Sequence, residues 1–181
     1  QPAHITNHKI AYLEGYLWDN QNAKMAMKKM VDICKSDNQK IAFTLSDLFC
    51  VDRHRESFKE LIENNVDILF ANEDEIKAQC ETDGFDKAVE YAKSLNMIVA
   101  ITRSADGSVI VNKEEVIEIN PVQVDRVVDT TGAGDLYAGG FLFGMAKEKD
   151  LTTCGNYASI AAAEIISHYG ARPLLKLSNL I

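Results

Sequence analysis

The 181-residue sequence has few cysteines and prolines, no excess of basic residues and no long uncharged apolar run. Its four cysteines are far apart and include no Cys-x-x-Cys pair, a distribution that favours reduced thiols over a disulfide framework or a zinc site. The formal net charge of −8 disfavours a nucleic-acid partner, because proteins that bind phosphate backbones need a basic surface. We therefore expect a cytoplasmic protein that binds neither DNA nor RNA.

The longest apolar stretch near the C-terminus, Leu151 to Ala163, is followed by Glu164. It is shorter than the roughly 20 residues that a membrane-spanning helix needs. The first ten residues, QPAHITNHKI, lack the charged region and apolar segment that are typical of a signal peptide. The sequence therefore predicts no membrane partner.

The composition, 46% hydrophobic and 25% charged, is typical of a globular protein, and we expect a single domain over residues 1–181. Short apolar runs alternate with longer amphipathic ones, which predicts the α/β class with a mostly parallel sheet covered on both faces. The predicted strands are 9–18, 40–46, 66–72, 97–102 and a hairpin-like pair, 107–113 and 115–120. The predicted helices are 20–36, 52–64, 134–147, 151–169 and two short ones within 72–95.

A glycine-rich stretch, DTTGAGDLYAGG at 129–140, holds the strongest chemical signal. If residues 127–129 end a strand and a helix begins near Gly134, the amides of about residues 132–135 are left without partners, where the helix dipole favours an anion. Asp135 would place a carboxylate beside this cradle, able to orient a hydroxyl group and accept its proton during phosphoryl transfer. A charge that only stabilises the helix N-terminus is an equally good interpretation of Asp135 on the local pattern alone.

Two other phosphate-binding motifs do not fit this stretch. A dinucleotide-binding loop needs a third glycine where the chain has Tyr137, and no glycine here is followed by the Lys-Ser or Lys-Thr of a P-loop. The pair Gly139–Gly140 has a structural explanation, because small residues at these positions would let the helix lie close on the sheet.

The extended stretch VVDTTGAGDLYAGGFLFG resembles the C-terminal signature of the ribokinase/PfkB family of carbohydrate and nucleoside kinases. NEDE at 72–75 is similar to the Asn-x-x-Glu motif of that family, TRSADG at 102–107 to its nucleotide-site turn and SHYGARP at 167–173 to its closing segment. With YLEGYLW and LSDLFCVDRHR, the sequence looks most like the bacterial adenosine-kinase-like branch over essentially its whole length.

The resemblance implies a three-layer αβα sandwich and ATP-dependent phosphoryl transfer to a hydroxymethyl group of a nucleoside or a sugar. Asp135 would be the catalytic base. The amides of Gly132, Ala133 and Gly134 would hold the charge that develops on the transferred phosphate.

Asn72 and Glu75 match the family motif that meets Mg²⁺ through water molecules. Their spacing also fits a capping box at a helix start, and the residues alone favour that alternative. Some family members bind a monovalent cation such as K⁺ with ligands that match Asp129, Thr131 and the Gly170 region. The sequence leaves the presence of such a cation in this chain open.

The resemblance also implies an ATP site. Thr102 and Gly107 would contact the nucleotide and Arg103 would add charge near the phosphates, although this chain has Ser104 where the family usually has glycine. Asn156 and the Gly170–Ala171 turn would close around adenine. The structural alternatives are a polar residue in the core for Asn156 and a helix C-cap for the turn.

Members of this family are longer, and their first half supplies the leading strands, a sugar-gripping Gly-Gly motif and a lid. We therefore expect this chain to be a C-terminal portion, with little or no kinase activity alone and an exposed sheet edge that favours self-association into a homo-oligomer. A sugar kinase and a non-catalytic nucleotide-binding subunit remain alternatives to a nucleoside kinase.

Overall fold

The computed structural model describes residues 8–113 and 115–180. These residues form two compact units, one made of residues up to 101 with 111–115 and the other of 102–110 with the residues from 116 onward. One domain over residues 1–181 stays a prediction.

Six strands are hydrogen-bonded side by side in sequence order. The pairings of the first strand with the second and of the second with the third are parallel, with Ile10 opposite Lys40 and Ala42 opposite Ile68. The strands are β1 (Ile10–Glu14), β2 (Lys40–Thr44), β3 (Ile68–Asn72), β4 (Ile98–Thr102), β5 (Ser108–Asn112) and β6 (Glu115–Ile119). The helices of the first unit are α1 (Gln21–Ser36), α2 (Leu48–Asn65), α3 (Glu73–Gln79) and α4 (Phe85–Ser94).

The core of the first unit explains why the predicted strand 9–18 is wrong beyond Glu14. Gly15–Asp19 forms a 3-10 turn that buries Trp18, whose indole N–H donates a hydrogen bond to Ser57 Oγ at 2.8 Å. The Trp18 ring lies 5.9 Å from that of Phe58. A side chain at Gly15 would place its Cβ 2.7 Å from the Leu45 carbonyl oxygen, so only glycine lets the turn pass this close to the backbone.

The start of α2 was predicted four residues too late. The Asp47 side chain accepts a hydrogen bond from the Cys50 amide at 2.7 Å and caps the helix, which therefore begins at Leu48.

In the second unit, α5 (Ala133–Ala146) and α6 (Leu151–Ile166) pack backbone to backbone. A Cβ at Gly140 would lie 2.6 Å from the Tyr157 carbonyl oxygen, and one at Gly144 would lie 2.8 Å from Cys154 Sγ. Gly139 is exposed, with no heavy atom within 4 Å of where its Cβ would be. The prediction that both glycines let the helix lie close on the sheet is therefore wrong in two respects. Only Gly140 serves close packing, and its close neighbour is α6.

All four cysteines are free thiols, as predicted. Within the described ranges, no helix is long and apolar enough to span a membrane.

Candidate active site

An irregular segment leads into α5 and takes the place of the predicted strand end at 127–129. The Asp129 side chain organises it, because its Oδ1 accepts from the Thr131 amide at 2.9 Å and its Oδ2 accepts from the Gly170 amide at 3.1 Å. Hydrogen bonds from the Thr131 side chain, the Thr131 amide and the Gly170 amide lower the pKa of Asp129. Asp129 therefore joins the turn before α5 to the segment after α6.

The N-terminus of α5 provides the amide row that the sequence predicted, with one correction. The Ala133 amide donates to the Thr130 carbonyl oxygen at 3.1 Å, so it is occupied by the turn itself. The first hydrogen bond of the helix runs from the Leu136 amide to the Gly132 carbonyl oxygen at 2.9 Å. Among the described residues, the amides of Gly132, Gly134 and Asp135 have no acceptor. Three donors remain for an anion, and the helix dipole favours one there.

Gly132, the N-cap residue, has φ +80°, a left-handed conformation that glycine adopts without steric cost. A Cβ at this position would also lie 3.2 Å from Ala171 Cβ. At Gly134 no heavy atom lies within 4 Å of the Cβ position, so a ligand can approach the backbone there. The glycines of this turn therefore have different roles, one in backbone conformation and one in access.

Asp135 lies in the first turn of α5, and its side chain is exposed. In the described part of the chain, its carboxylate has no hydrogen-bond or ion-pair partner. A carboxylate that no protein group occupies, beside amides that favour an anion, can accept a proton from a hydroxyl group held near that anion.

Beside this turn, the second unit contains a cavity of about 510 Å³. This volume lies in the range typical of small-molecule sites, about 300–1,000 Å³. Ala133 and Gly134 lie on its wall, together with Thr102, Ser104 and Gly107 from the predicted nucleotide-site turn. The structure thus brings the glycine turn and two of the five predicted ATP-site residues, Thr102 and Gly107, to one cavity.

The nucleotide-site turn is closed by a hydrogen bond from the Arg103 amide to the Gly107 carbonyl oxygen at 2.8 Å. Gly107 has φ +79°, and a Cβ there would lie 2.2 Å from the Ile119 carbonyl oxygen. Ser104 has φ +52°, so it adopts the left-handed conformation that favours glycine, the residue that the ribokinase/PfkB pattern usually has at this position. Arg103 is not among the residues that line the cavity.

Two predicted adenine-site residues lie elsewhere. Asn156 is exposed on α6 and is not among the residues that line the cavity, so it is not a core residue, and its contact with adenine stays a prediction. Gly170 has φ +97° and is also off the wall. It is not a C-cap, because α6 ends at Ile166 with Ser167 as its cap residue.

Sequence reasoning missed several lining residues. Tyr137 is only 4% exposed, and its hydroxyl donates to Ser108 Oγ at 2.7 Å. Burial raises the pKa of Tyr137 to about 12. The other missed positions are on α6 and in the segment before α5: Ser159, Ala162, Ala163, Ile166 and 121–124 with Val127. The α6 positions follow an i, i+3, i+4, i+7 pattern, which could have identified that face of the helix.

Asn72 and Glu75, in the first unit, form the capping box that the residues alone favoured. Asn72 Oδ1 accepts from the Glu75 amide at 2.8 Å, and Glu75 accepts from the Asn72 amide at 2.9 Å and from Asn72 Nδ2 at 2.7 Å. Glu75 is 5% exposed, and burial raises its pKa to about 7. Both of its carboxylate oxygens accept hydrogen bonds from Asn72, and contact of these two residues with a metal ion through water stays a prediction.

No group of three or more His, Cys, Asp or Glu residues within the described ranges could hold a metal ion. Asp129 likewise directs both carboxylate oxygens to backbone amides of the chain. The cation role predicted for Asp129 and Thr131 therefore stays a prediction.

A sheet with parallel pairing, a cavity beside a glycine turn and free amides at a helix N-terminus define an α/β protein with a site that can accept an anion. The chain belongs to the pfkB family of carbohydrate kinases, whose sequence profile matches residues 2–177. The predicted family and fold class are confirmed.

Three related proteins show how far the similarity extends. The solved adenosine kinase from Sinorhizobium meliloti is 41% identical, with a TM-score of 0.97 over 99% of this chain and 55% of that one. A probable sugar kinase protein from Rhizobium etli is 39% identical, with a TM-score of 0.97 and the same coverage. An uncharacterized sugar kinase from Archaeoglobus fulgidus is 37% identical over 114 residues, 62% of this chain and 45% of the relative. The chain spans about half the length of these relatives.

Proposed function

We propose that this chain carries the nucleotide and catalytic side of a kinase that transfers a phosphoryl group from ATP to a hydroxymethyl group of an adenosine-like nucleoside. One observation carries the proposal: the free amides of Gly132, Gly134 and Asp135 open beside a 510 Å³ cavity, with the exposed Asp135 carboxylate in the same turn of helix. Family membership supports the reaction class.

In this mechanism the acceptor hydroxyl oxygen forms a bond to the γ-phosphorus of ATP while the bond between that phosphorus and the ADP oxygen breaks. The hydroxyl proton passes to Asp135, and the amides of Gly132 and Gly134 stabilise the negative charge on the transferred group. Because phosphoryl transfer proceeds through a loose transition state, positioning and charge stabilisation contribute most of the rate. The exposed first turn of α5 supplies both.

The cavity is the proposed site of the nucleotide. Thr102, Ser104 and Gly107 line one part of it, and the Arg103 side chain, in the same turn, would add positive charge near the phosphates. Small residues of α6, Ala162 and Ala163, leave room for a planar base.

A divalent cation such as Mg²⁺ would meet Asn72 and Glu75 through its water molecules. A cation close to Glu75 would favour its charged form and offset the burial that raises its pKa. A monovalent cation such as K⁺ would lie beside Asp129 and Thr131, where each Asp129 oxygen also accepts one hydrogen bond from an amide.

The acceptor is proposed as a nucleoside because the solved adenosine kinase from Sinorhizobium meliloti is 41% identical to this chain. A sugar acceptor is the second candidate, supported by the 39% identical probable sugar kinase protein from Rhizobium etli. Because the chain spans about half of these relatives, we expect it to bind ATP but to show little turnover alone, and its cytoplasmic location and homo-oligomeric state stay predictions.

The test joins this chain to the N-terminal half of the Sinorhizobium meliloti adenosine kinase and measures ADP formation with adenosine, ribose and fructose. Asp135→Asn should lower the turnover number about 10²–10⁴-fold, because the proton acceptor is lost. Asp86→Asn, an exposed acid in the first turn of another helix, α4, and not on the cavity wall, is the matched control and should leave turnover unchanged. Equal turnover in Asp135→Asn and the unsubstituted chimera would refute the role of Asp135, and a preference for ribose or fructose would favour the sugar kinase.

A further inference from the structure

Glu164 is a carboxylate in an unfavourable position. It lies in the last turn of α6, and its side chain is only 5% exposed. The C-terminal end of a helix carries partial negative charge, so a carboxylate there is repelled, and burial adds the cost of removing its hydration. Such a residue needs compensating contacts.

Those contacts come from the residues after the helix. Glu164 Oε1 accepts hydrogen bonds from the Leu174 amide at 2.8 Å and the Leu175 amide at 2.9 Å, and His168 Nε2 lies 3.3 Å from it. The other carboxylate oxygen, Oε2, is buried and has no hydrogen-bond partner among the described residues. One oxygen, Oε1, therefore makes all of these contacts. They attach residues 168–175, which we call the C-terminal loop, to the end of α6.

The C-terminal loop contacts the glycine turn that leads into α5, residues 129–134, which we call the anion-binding turn. Its Gly170 amide donates to Asp129, and Ala171 packs on Gly132 so closely that a Cβ at Gly132 would lie 3.2 Å from Ala171 Cβ and 3.4 Å from Ala171 Cα. Most of the loop is exposed, so few apolar contacts hold it in place. Two carboxylates, Asp129 at one point and Glu164 at the other, therefore determine where Ala171 lies.

We propose that Glu164 is a positioning residue for the anion-binding turn: by anchoring the C-terminal loop at Leu174 and Leu175, it holds Ala171 against Gly132 and so keeps the free amides of α5 in place for a phosphate group. Glu164 does not touch the ligand. The part of the inference that concerns ATP rests on the proposed function.

The experiment compares two substitutions of Glu164 with a control at the other end of the same helix. Glu164→Leu has similar volume but no acceptor, whereas Glu164→Gln keeps one oxygen that can accept from both amides. Asp150→Ala removes the N-cap of α6, where Asp150 Oδ1 accepts from the Thr153 amide at 2.9 Å, and leaves the loop contacts intact. Each protein is measured for ATP affinity by calorimetry, for thermal unfolding, and for hydrogen exchange of the loop amides.

In Glu164→Leu the Leu174 and Leu175 amides should lose protection, and the Kd for ATP should rise about tenfold, because charge-assisted hydrogen bonds to the loop are lost. The unfolding temperature should stay the same or rise, since a partly unpaired buried charge is replaced by an apolar group. Glu164→Gln should recover most of the affinity. Asp150→Ala should lower the unfolding temperature with little change in Kd. Affinity and stability thus change independently, which a merely structural role of Glu164 does not predict.

The inference is overturned if Glu164→Leu binds ATP like the unsubstituted chain, or if its loop amides stay protected. It is also overturned if the affinities of all three variants follow their unfolding temperatures. Should Glu164→Leu fail to fold, Leu175→Pro, which removes one of the two amide donors at an exposed position of the loop, decides by the same two measurements. If the unsubstituted chain itself binds no ATP, the proposed function fails, and hydrogen exchange still decides whether Glu164 anchors the loop.

Discussion

Gly139 and Gly140 are adjacent in α5, yet the structure predicts opposite effects when each is changed to alanine. Both are in the interior of a helix, where glycine is less favourable than alanine by about 1 kcal/mol. At Gly139 the added methyl group meets no heavy atom within 4 Å. Gly139→Ala should therefore raise the free energy of unfolding by roughly 0.5–1 kcal/mol.

At Gly140 the same methyl group would lie 2.6 Å from the Tyr157 carbonyl oxygen and 2.9 Å from Ala158 Cα. These are backbone atoms, so the clash can be removed only if α5 and α6 move apart. Overpacking of this kind typically lowers the free energy of unfolding by about 1–3 kcal/mol or more. After the gain in helix propensity is subtracted, we expect Gly140→Ala to lower the free energy of unfolding by on the order of 1 kcal/mol.

The assay is urea unfolding followed by circular dichroism, in which the two variants should shift the transition midpoint in opposite directions with an unchanged m-value. Each variant is the control for the other, because the chemical change and the helix are the same. If Gly140→Ala is as stable as the unsubstituted chain, the close approach of α5 and α6 is wrong. If both variants lose stability equally, the argument from helix propensity fails.

The remaining predictions concern two buried polar groups. Burial raises the pKa of Glu75 to about 7, so its charged form is disfavoured in the folded chain. The free energy of unfolding should therefore fall as the pH rises from about 4.5 to 7, by up to on the order of 3 kcal/mol. Above about pH 7 this contribution should stay constant. Glu75→Gln should remove this loss, and a pH series of urea midpoints that shows the same slope in both proteins would contradict it. Tyr137→Phe removes the hydroxyl group that donates to Ser108 Oγ, and it should lower the free energy of unfolding by about 1–2 kcal/mol in the same assay. An unchanged midpoint would show that this hydrogen bond contributes nothing to stability.

The parts of the structure that could be predicted from sequence are those set by local patterns. The alternation of apolar runs gave the α/β class, and the glycine turn with Asp135 gave a helix start with free amides. The capping box of Asn72 and Glu75 was also readable, because it depends on residues only three apart.

The parts that could not be predicted depend on contacts between distant residues. Nothing near Gly140 in the sequence shows that its close neighbour is Tyr157 of another helix. Trp18 leaves the predicted strand because Ser57 and Phe58 receive its ring. Ser159 lines the cavity and Asn156, one helical turn earlier on α6, does not; periodicity can identify the face of the helix but does not show how far along it the cavity extends.

The packing of α5 on α6 has a consequence for ligand selectivity. The contacts at Gly140 and Gly144 fix the position of α5, and the amides that we propose to bind phosphate lie at its N-terminus. A substitution that separates the two helices would displace these amides as one rigid group. Binding of ATP, GTP and inorganic phosphate should then weaken by a similar factor, so that discrimination between bases survives a loss of phosphate affinity.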